Sequence, residues 1–151
     1  MAVLKEACER RLRLVTAESC TGGLLASTLT DVEGCAHAFE RGFVTYSDAA
    51  KSEMLGVPLA IIDQWGAVSR QVACAMAQGA LSASQGDIAL AVTGFAGRGA
   101  PGDEPGLVHF ALARRNRRII HREEHFGDIG RGPVRLACLR VGLELLRSSI
   151  A

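Results

Sequence analysis

Thr16-Ala17-Glu18-Ser19-Cys20-Thr21-Gly22-Gly23 follows the apolar run Leu12 to Val15 and precedes the helix-like stretch Leu24 to Leu29. A buried strand therefore stops, and a helix starts, at a cluster of small hydroxyl residues and glycines. The N-terminus of a helix leaves backbone N–H groups unpaired and carries a partial positive charge. Such a place suits an anion or a developing oxyanion. Ser19 and Cys20 sit at that junction, each with a nucleophilic heteroatom. The plainer reading of the same residues is that Ser19 or Thr21 caps the helix while the glycines allow tight packing.

Working outward from this junction, Ala2 to Arg11 reads as an amphipathic helix and Leu14 to Ala17 as a short buried strand. Gly22 to Thr30 is the next predicted helix, and Phe39 to Tyr46, with aromatic and β-branched residues, the next strand. Ser47 and Asp48 cap a helix to Leu55, Pro58 opens a short helix through Asp63, and Ser69 caps a long one to about Ser84. The continuous apolar run Ile88 to Thr93 reads as a central strand. Gly94 to Gly106, glycine-rich and holding Pro101 and Pro105, is a loop. Leu107 to Arg114 and Ile119 to His125 form a hairpin turning around Arg115-Asn116-Arg117. Arg131 to Ser148 closes the chain as a helix, with Val134, Cys138, Val141 and Leu145 on one face. The expectation is a single domain over residues 1–151, an α/β fold built as a three-layer α/β/α sandwich with a mixed central sheet.

Composition narrows the function classes. The 151 residues are 48% hydrophobic and 22% charged, ordinary for a globular domain with a proper core. The formal net charge of +1 does not point to nucleic acid. Five cysteines, an odd number with no CxxC spacing, argue against a disulfide framework or a zinc knuckle. The charged stretch Lys5 to Arg13 is unlike the apolar region of a signal peptide, and no run approaches the roughly 20 apolar residues of a membrane span. The expected address is the cytoplasm, with no membrane partner.

A serine hydroxyl needs a neighbouring base before it is a useful nucleophile. None of His37, His109, His121 and His125 lies in a glycine-rich junction, which disfavours a Ser-His-Asp arrangement. A lysine can serve instead if burial or a nearby cation lowers its pKa from about 10.4. Lys51 is the candidate: five residues after Tyr46 at a strand end, it stands isolated between Asp48 and Glu53 in an otherwise apolar segment. A solvated lysine on a helix surface is the ordinary alternative for such a position.

Ala17-Glu18-Ser19-Cys20-Thr21-Gly22-Gly23, Tyr46-Ser47-Asp48-Ala49-Ala50-Lys51 and Val92-Thr93-Gly94-Phe95-Ala96-Gly97 stand in that order along the chain. Together they resemble the patterns A-E-S-C-T-G-G, Y-S-N-A-A-K and V-T-G-I-A-G-P of the CinA (competence/damage-inducible) C-terminal domain. That domain also occurs alone as nicotinamide-nucleotide amidase. Gly42 to Val57 and Val68 to Ala80 also read like the family, so the resemblance covers nearly the whole chain. It implies the same sandwich architecture and a Ser-Lys type amidase with Ser19, Lys51 and Tyr46 as its reactive group. The implied reaction deamidates nicotinamide mononucleotide to nicotinate mononucleotide and ammonia, with no metal and no organic cofactor. Cys20 then lines the site rather than reacting.

A mononucleotide also needs a phosphate site. Backbone groups of Cys20, Thr21, Gly22 and Gly23, the loop from Gly94 through Gly97, and the Thr93 hydroxyl are expected to bind substrate. Arg131 and Arg135, one helical turn apart, present guanidinium groups for the phosphate. The family's D-R-x-x-V-R stretch is interrupted here by two extra residues that displace Asp128 from Arg131. Further departures are Arg98 for a proline, Phe95 for isoleucine, Arg70 for glutamate and Asp48 for asparagine. Arg98 adds charge beside the pocket, either strengthening phosphate binding or narrowing the site. Full-length CinA proteins carry an additional N-terminal domain associated with pyrophosphatase chemistry, and that activity is not expected of this chain. The resemblance implies a homo-oligomer, a dimer. The alternatives are a nucleotide-binding or sensor module without turnover, or an amidase for another small carboxamide.

Overall fold

The computed structural model describes residues 2–151. Five strands, β1 (Leu14–Glu18), β2 (Phe39–Val44), β3 (Ile88–Gly94), β4 (Leu107–Arg114) and β5 (Ile120–His125), form one sheet in the order β2-β1-β3-β4-β5. β1 runs parallel to β2 and β3, whereas β3, β4 and β5 are antiparallel neighbours, so the sheet is mixed. Helices α1 (Ala2–Glu9), α2 (Leu24–Leu29) and α6 (Arg131–Ile150) cover one face. α3 (Asp48–Leu55), α4 (Leu59–Trp65) and α5 (Arg70–Ser82) cover the other. The molecule is a three-layer α/β/α sandwich.

β3 is buried on both faces over Ile88–Val92, which is why it reads as an unbroken apolar run rather than an alternating one. Its two sets of side chains differ in size. Ile88, Leu90 and Val92 pack under α6, while Ala89 and Ala91, with Ala111 and Ala113 of β4, make a shallow bed for α5. Gly79 lets α5 pass the end of α3 closely, since a Cβ there would lie 1.9 Å from the Leu55 carbonyl oxygen. Ser47 and Ser69 cap α3 and α5, accepting from Ala50 N (3.0 Å) and Val72 N (3.2 Å). The buried stripe of α6 contains Val134, Cys138, Val141 and Leu145, as its periodicity predicts.

The start of α2 differs from the sequence expectation. The helix begins at Leu24 rather than Gly22, and neither Ser19 nor Thr21 caps it. Gly22 and Gly23 take left-handed φ values of +57° and +98°, curling the chain back toward the strand it has just left. The carboxylate of Glu18, the last residue of β1, then accepts from Leu25 N (2.8 Å) and Ala26 N (3.0 Å). Glu18 is fully buried. The cap thus comes from a strand residue six positions before the helix, a reach that local capping rules do not anticipate. Glu18→Ala leaves both N–H groups unpaired in the interior and is expected to lower unfolding free energy by about 2–3 kcal/mol in urea titrations. Glu18→Gln, which keeps one acceptor oxygen, costs less.

The connections leaving β1 and β2 go to opposite faces, α2 to one and α3 to the other. A doubly wound sheet opens a crevice at the carboxyl ends of its strands where connections diverge in this way. Among the described residues no helix is long and apolar enough to cross a membrane.

Candidate active site

A cavity of about 240 Å³ occupies that crevice. β1 delivers Ser19 and Cys20 to it, the segment after β2 delivers Tyr46, Asp48 and Lys51, and the end of β3 delivers Thr93 and Gly94. Phe95 to Gly99 and Arg131 complete its wall with Ala67 and Val68. A larger cavity, about 370 Å³, lies against residues 29–36, away from every one of these groups.

Backbone bonds fix the position of Ser19. Ser19 N donates to Val92 O at 3.0 Å, and Thr45 N donates to Glu18 O at 2.9 Å, extending the parallel ladder past the strand ends. Ser19 is therefore held between the ends of β2 and β3 just where regular pairing stops.

Lys51 is among the largest fully buried side chains of the described residues, only 2% exposed. Its Nζ lies 3.2 Å from Ser19 Oγ and donates to Thr45 O at 3.1 Å. Burial pushes its pKa below the ordinary lysine value, against a weaker opposing pull from the Asp48 carboxylate. A neutral Lys51 keeps an N–H on the Thr45 carbonyl and turns its lone pair to the serine hydroxyl, which then donates to it. This is a nucleophile and base within reach, the base oriented by a third group. The solvated-lysine alternative fails because Lys51 is buried, with its amine against Ser19 and Thr45 just past the ends of β1 and β2.

The remaining expected site residues divide. Tyr46 lines the cavity but is 62% exposed, and its hydroxyl accepts from Arg131 Nη2 at 2.9 Å instead of bridging Ser19 and Lys51. Thr93 is buried, with its hydroxyl donating to Ala67 O at 2.8 Å, so it anchors the segment between α4 and α5 against the pocket. Gly94 and Gly97 both line the cavity, and a Cβ on Gly97 would lie 3.0 Å from Arg131 Cγ. Cys20 lines it too, but its side chain packs into the apolar cluster beneath α2 and α6.

Thr21, Gly22, Gly23 and Arg135 do not line the cavity. Arg135 Nη2 donates to Thr21 O at 2.9 Å, so this arginine props the β1–α2 turn from behind. One helical turn of spacing put Arg131 and Arg135 on one face of α6, yet only the first reaches the crevice. No histidine lines the cavity: His109 Nδ1 and His121 Nε2 pair at 2.9 Å in the hairpin, and His125 pairs with Glu104. Sequence reasoning missed Glu18 as the cap beneath Ser19 and the Thr45 carbonyl as the orienter of Lys51. A carboxylate directly before Ser19 was the available signal for the first; nothing in the sequence marks a backbone carbonyl.

Comparison with known proteins identifies the family and the fold. The CinA C-terminal domain family model matches residues 1–150. A nicotinamide-nucleotide amidohydrolase PncC of Enterobacter agglomerans is 48% identical over 115 residues, 74% of this chain and 70% of that protein. A competence-damage inducible protein of Caldicellulosiruptor bescii is 42% identical over 144 residues, 94% of this chain. The match spans only 34% of that longer relative. The crystal structure of the competence/damage inducible protein CihA from Agrobacterium tumefaciens superposes with a TM-score of 0.94 at 46% identity, covering 97% of this chain and 90% of that one. A CinA superfamily protein from Escherichia coli gives a TM-score of 0.90 at 36% identity, covering 97% and 86%. The chain belongs to the CinA C-terminal domain family.

Proposed function

We propose that this chain is an amidohydrolase that deamidates nicotinamide mononucleotide, with Ser19 as nucleophile and Lys51 as general base. The observation that carries the reading is the buried Lys51 amine 3.2 Å from Ser19 Oγ at the mouth of the crevice. The similarity to a protein named nicotinamide-nucleotide amidohydrolase supports the substrate.

The reaction proceeds in two halves. Ser19 Oγ attacks the carboxamide carbon as its proton passes to Lys51 Nζ. The tetrahedral oxyanion takes hydrogen bonds from backbone N–H groups facing the pocket, of which Cys20 N has no acceptor among the described residues. The carbon–nitrogen bond then breaks, and ammonia leaves with the proton held by Lys51. Water attacks the resulting ester, gives its proton to Lys51, and releases nicotinate mononucleotide with the serine restored. The proton passes directly between Lys51 and Ser19. Tyr46, engaged by Arg131, positions that arginine instead.

Arg131 is the first residue of α6, and the helix has no acidic residue in its first turn. A cation at the positive end of a helix dipole is unfavourable unless an anion joins it. The substrate phosphate is that anion. Arg131→Ala is expected to raise KM about tenfold while lowering kcat less. An unchanged KM in steady-state assays would remove Arg131 from phosphate binding.

The test of substrate is ammonia release from nicotinamide mononucleotide, nicotinamide and NAD by the wild-type protein. The mononucleotide should be preferred. Turnover of nicotinamide alone at the same efficiency would favour an amidase for another small carboxamide. Tight binding of the mononucleotide without ammonia release would favour a nucleotide-binding module.

A further inference from the structure

Arg98 takes no part in the chemistry of Ser19 and Lys51. It stands where the family pattern has proline, lines the same cavity as Ser19 and Arg131, and has a side chain 84% exposed. Its Nε donates to Asp128 Oδ2 at 2.8 Å, while Nη1 and Nη2 have no partner among the described residues. An arginine held through Nε keeps its outer edge, with two parallel N–H donors, free for a second acceptor. Asp128 thus fixes the fork's direction without using it up. The two-residue insertion that separates Asp128 from Arg131 places that carboxylate beside Arg98.

The neighbouring Gly97 rests on the stem of Arg131, so Arg98 follows directly on the wall that Arg131 forms. Two guanidinium groups therefore share one rim, Arg98 paired with Asp128 and Arg131 with the Tyr46 hydroxyl.

We propose that Arg98 is a specificity-determining residue, donating through its Nη groups to the terminal phosphomonoester of a nucleotide whose amide lies at Ser19. Asp128 is its positioning residue. The inference rests on the mononucleotide reading and adds which phosphate chemistry the site selects. A phosphomonoester carries up to two negative charges and three terminal oxygens, enough for both arginines. A phosphodiester, as in a dinucleotide, offers one charge and two such oxygens, and a nucleoside offers none.

The experiment compares wild type, Arg98→Gln and Arg98→Lys on nicotinamide mononucleotide and on nicotinamide riboside. KM for the mononucleotide should rise about tenfold in Arg98→Gln and by less in Arg98→Lys, which keeps charge but loses the fork. The rise for the riboside should be about fivefold smaller or less. Equal shifts for both compounds, or no shift for the mononucleotide, would overturn the proposal while leaving the amidase reading intact. Should wild type hydrolyse neither compound, the amidase reading fails separately, and Arg98 is judged by calorimetry with ribose 5-phosphate. A dissociation constant about tenfold weaker in Arg98→Gln supports the phosphate role. The same constant in both proteins, or no binding by wild type, overturns it.

Discussion

Ser19→Ala is expected to reduce turnover of nicotinamide mononucleotide by about 10³-fold or more, with folding and nucleotide binding retained. Among the described residues the hydroxyl has a single side-chain partner, Lys51 Nζ, and the backbone bond from Ser19 N to Val92 O does not depend on it. Removing Oγ therefore deletes the attacking atom and little else. The residual rate reports what positioning and electrostatics supply without a covalent step. Ser19→Cys separates nucleophile from geometry: a thiol at the same place should restore part of the activity and become sensitive to alkylation. Near-normal turnover in Ser19→Ala would shift suspicion to Cys20. Its thiol would then have to leave the apolar cluster beneath α6 to reach substrate.

Lys51→Met is the second large effect. Methionine fills much of the same volume without an amine, and kcat should fall about 10³-fold because, among the described residues, Lys51 alone has a side chain hydrogen-bonded to the serine hydroxyl. The pH dependence follows from the direction of the Lys51 shift. The neutral amine is the active form, so wild-type kcat/KM should rise with pH and level off above the depressed pKa. Lys51→Met should show no such limb. Stability gives an independent reading. The unfolded chain keeps the Lys51 proton up to about 10.5, the ordinary value, whereas the folded chain gives it up at lower pH. Between those two pH values the unfolded state binds more protons, so wild-type stability climbs as pH rises. Lys51→Met should abolish the climb and match or exceed wild-type Tm at neutral pH, since it no longer buries an amine. The lost bond to Thr45 O offsets part of that gain.

The residues that announced the fold were those whose local pattern and tertiary role agree. Ile88 to Val92 is apolar because both faces of β3 are covered, and the hairpin turns where Asn116 takes a left-handed φ of +59°. The serines before α3 and α5 are caps in sequence and in space. Legibility ended where a distant element decides the outcome. The cap of α2 comes from Glu18 because two glycines fold the turn back onto the strand. Lys51, flanked by acidic residues on a helix, has the local pattern of a surface residue. It is nevertheless buried, with its amine held by Ser19 and Thr45, residues that follow the paired strands β1 and β2. Arg135 shares a helical face with Arg131, but the Thr21 carbonyl intercepts it before the crevice. The motif resemblance gathered Ser19, Tyr46 and Lys51 into one site; in the structure Lys51 lies against the serine and Tyr46 against Arg131.

A neutral amine beside Ser19 is the claim on which the mechanism stands, and the composition makes it directly measurable. The chain contains two lysines, Lys5 and Lys51. Protein labelled with carbon-13 at lysine Cε should give two resonances by NMR, assigned with Lys5→Arg, and each can be followed through a pH titration. The account predicts that the Lys51 resonance titrates below the ordinary lysine value of about 10.5. A Lys51 resonance that titrates at that value or above it would mean a protonated ammonium beside Ser19 at working pH and would contradict the assignment of Lys51 as general base.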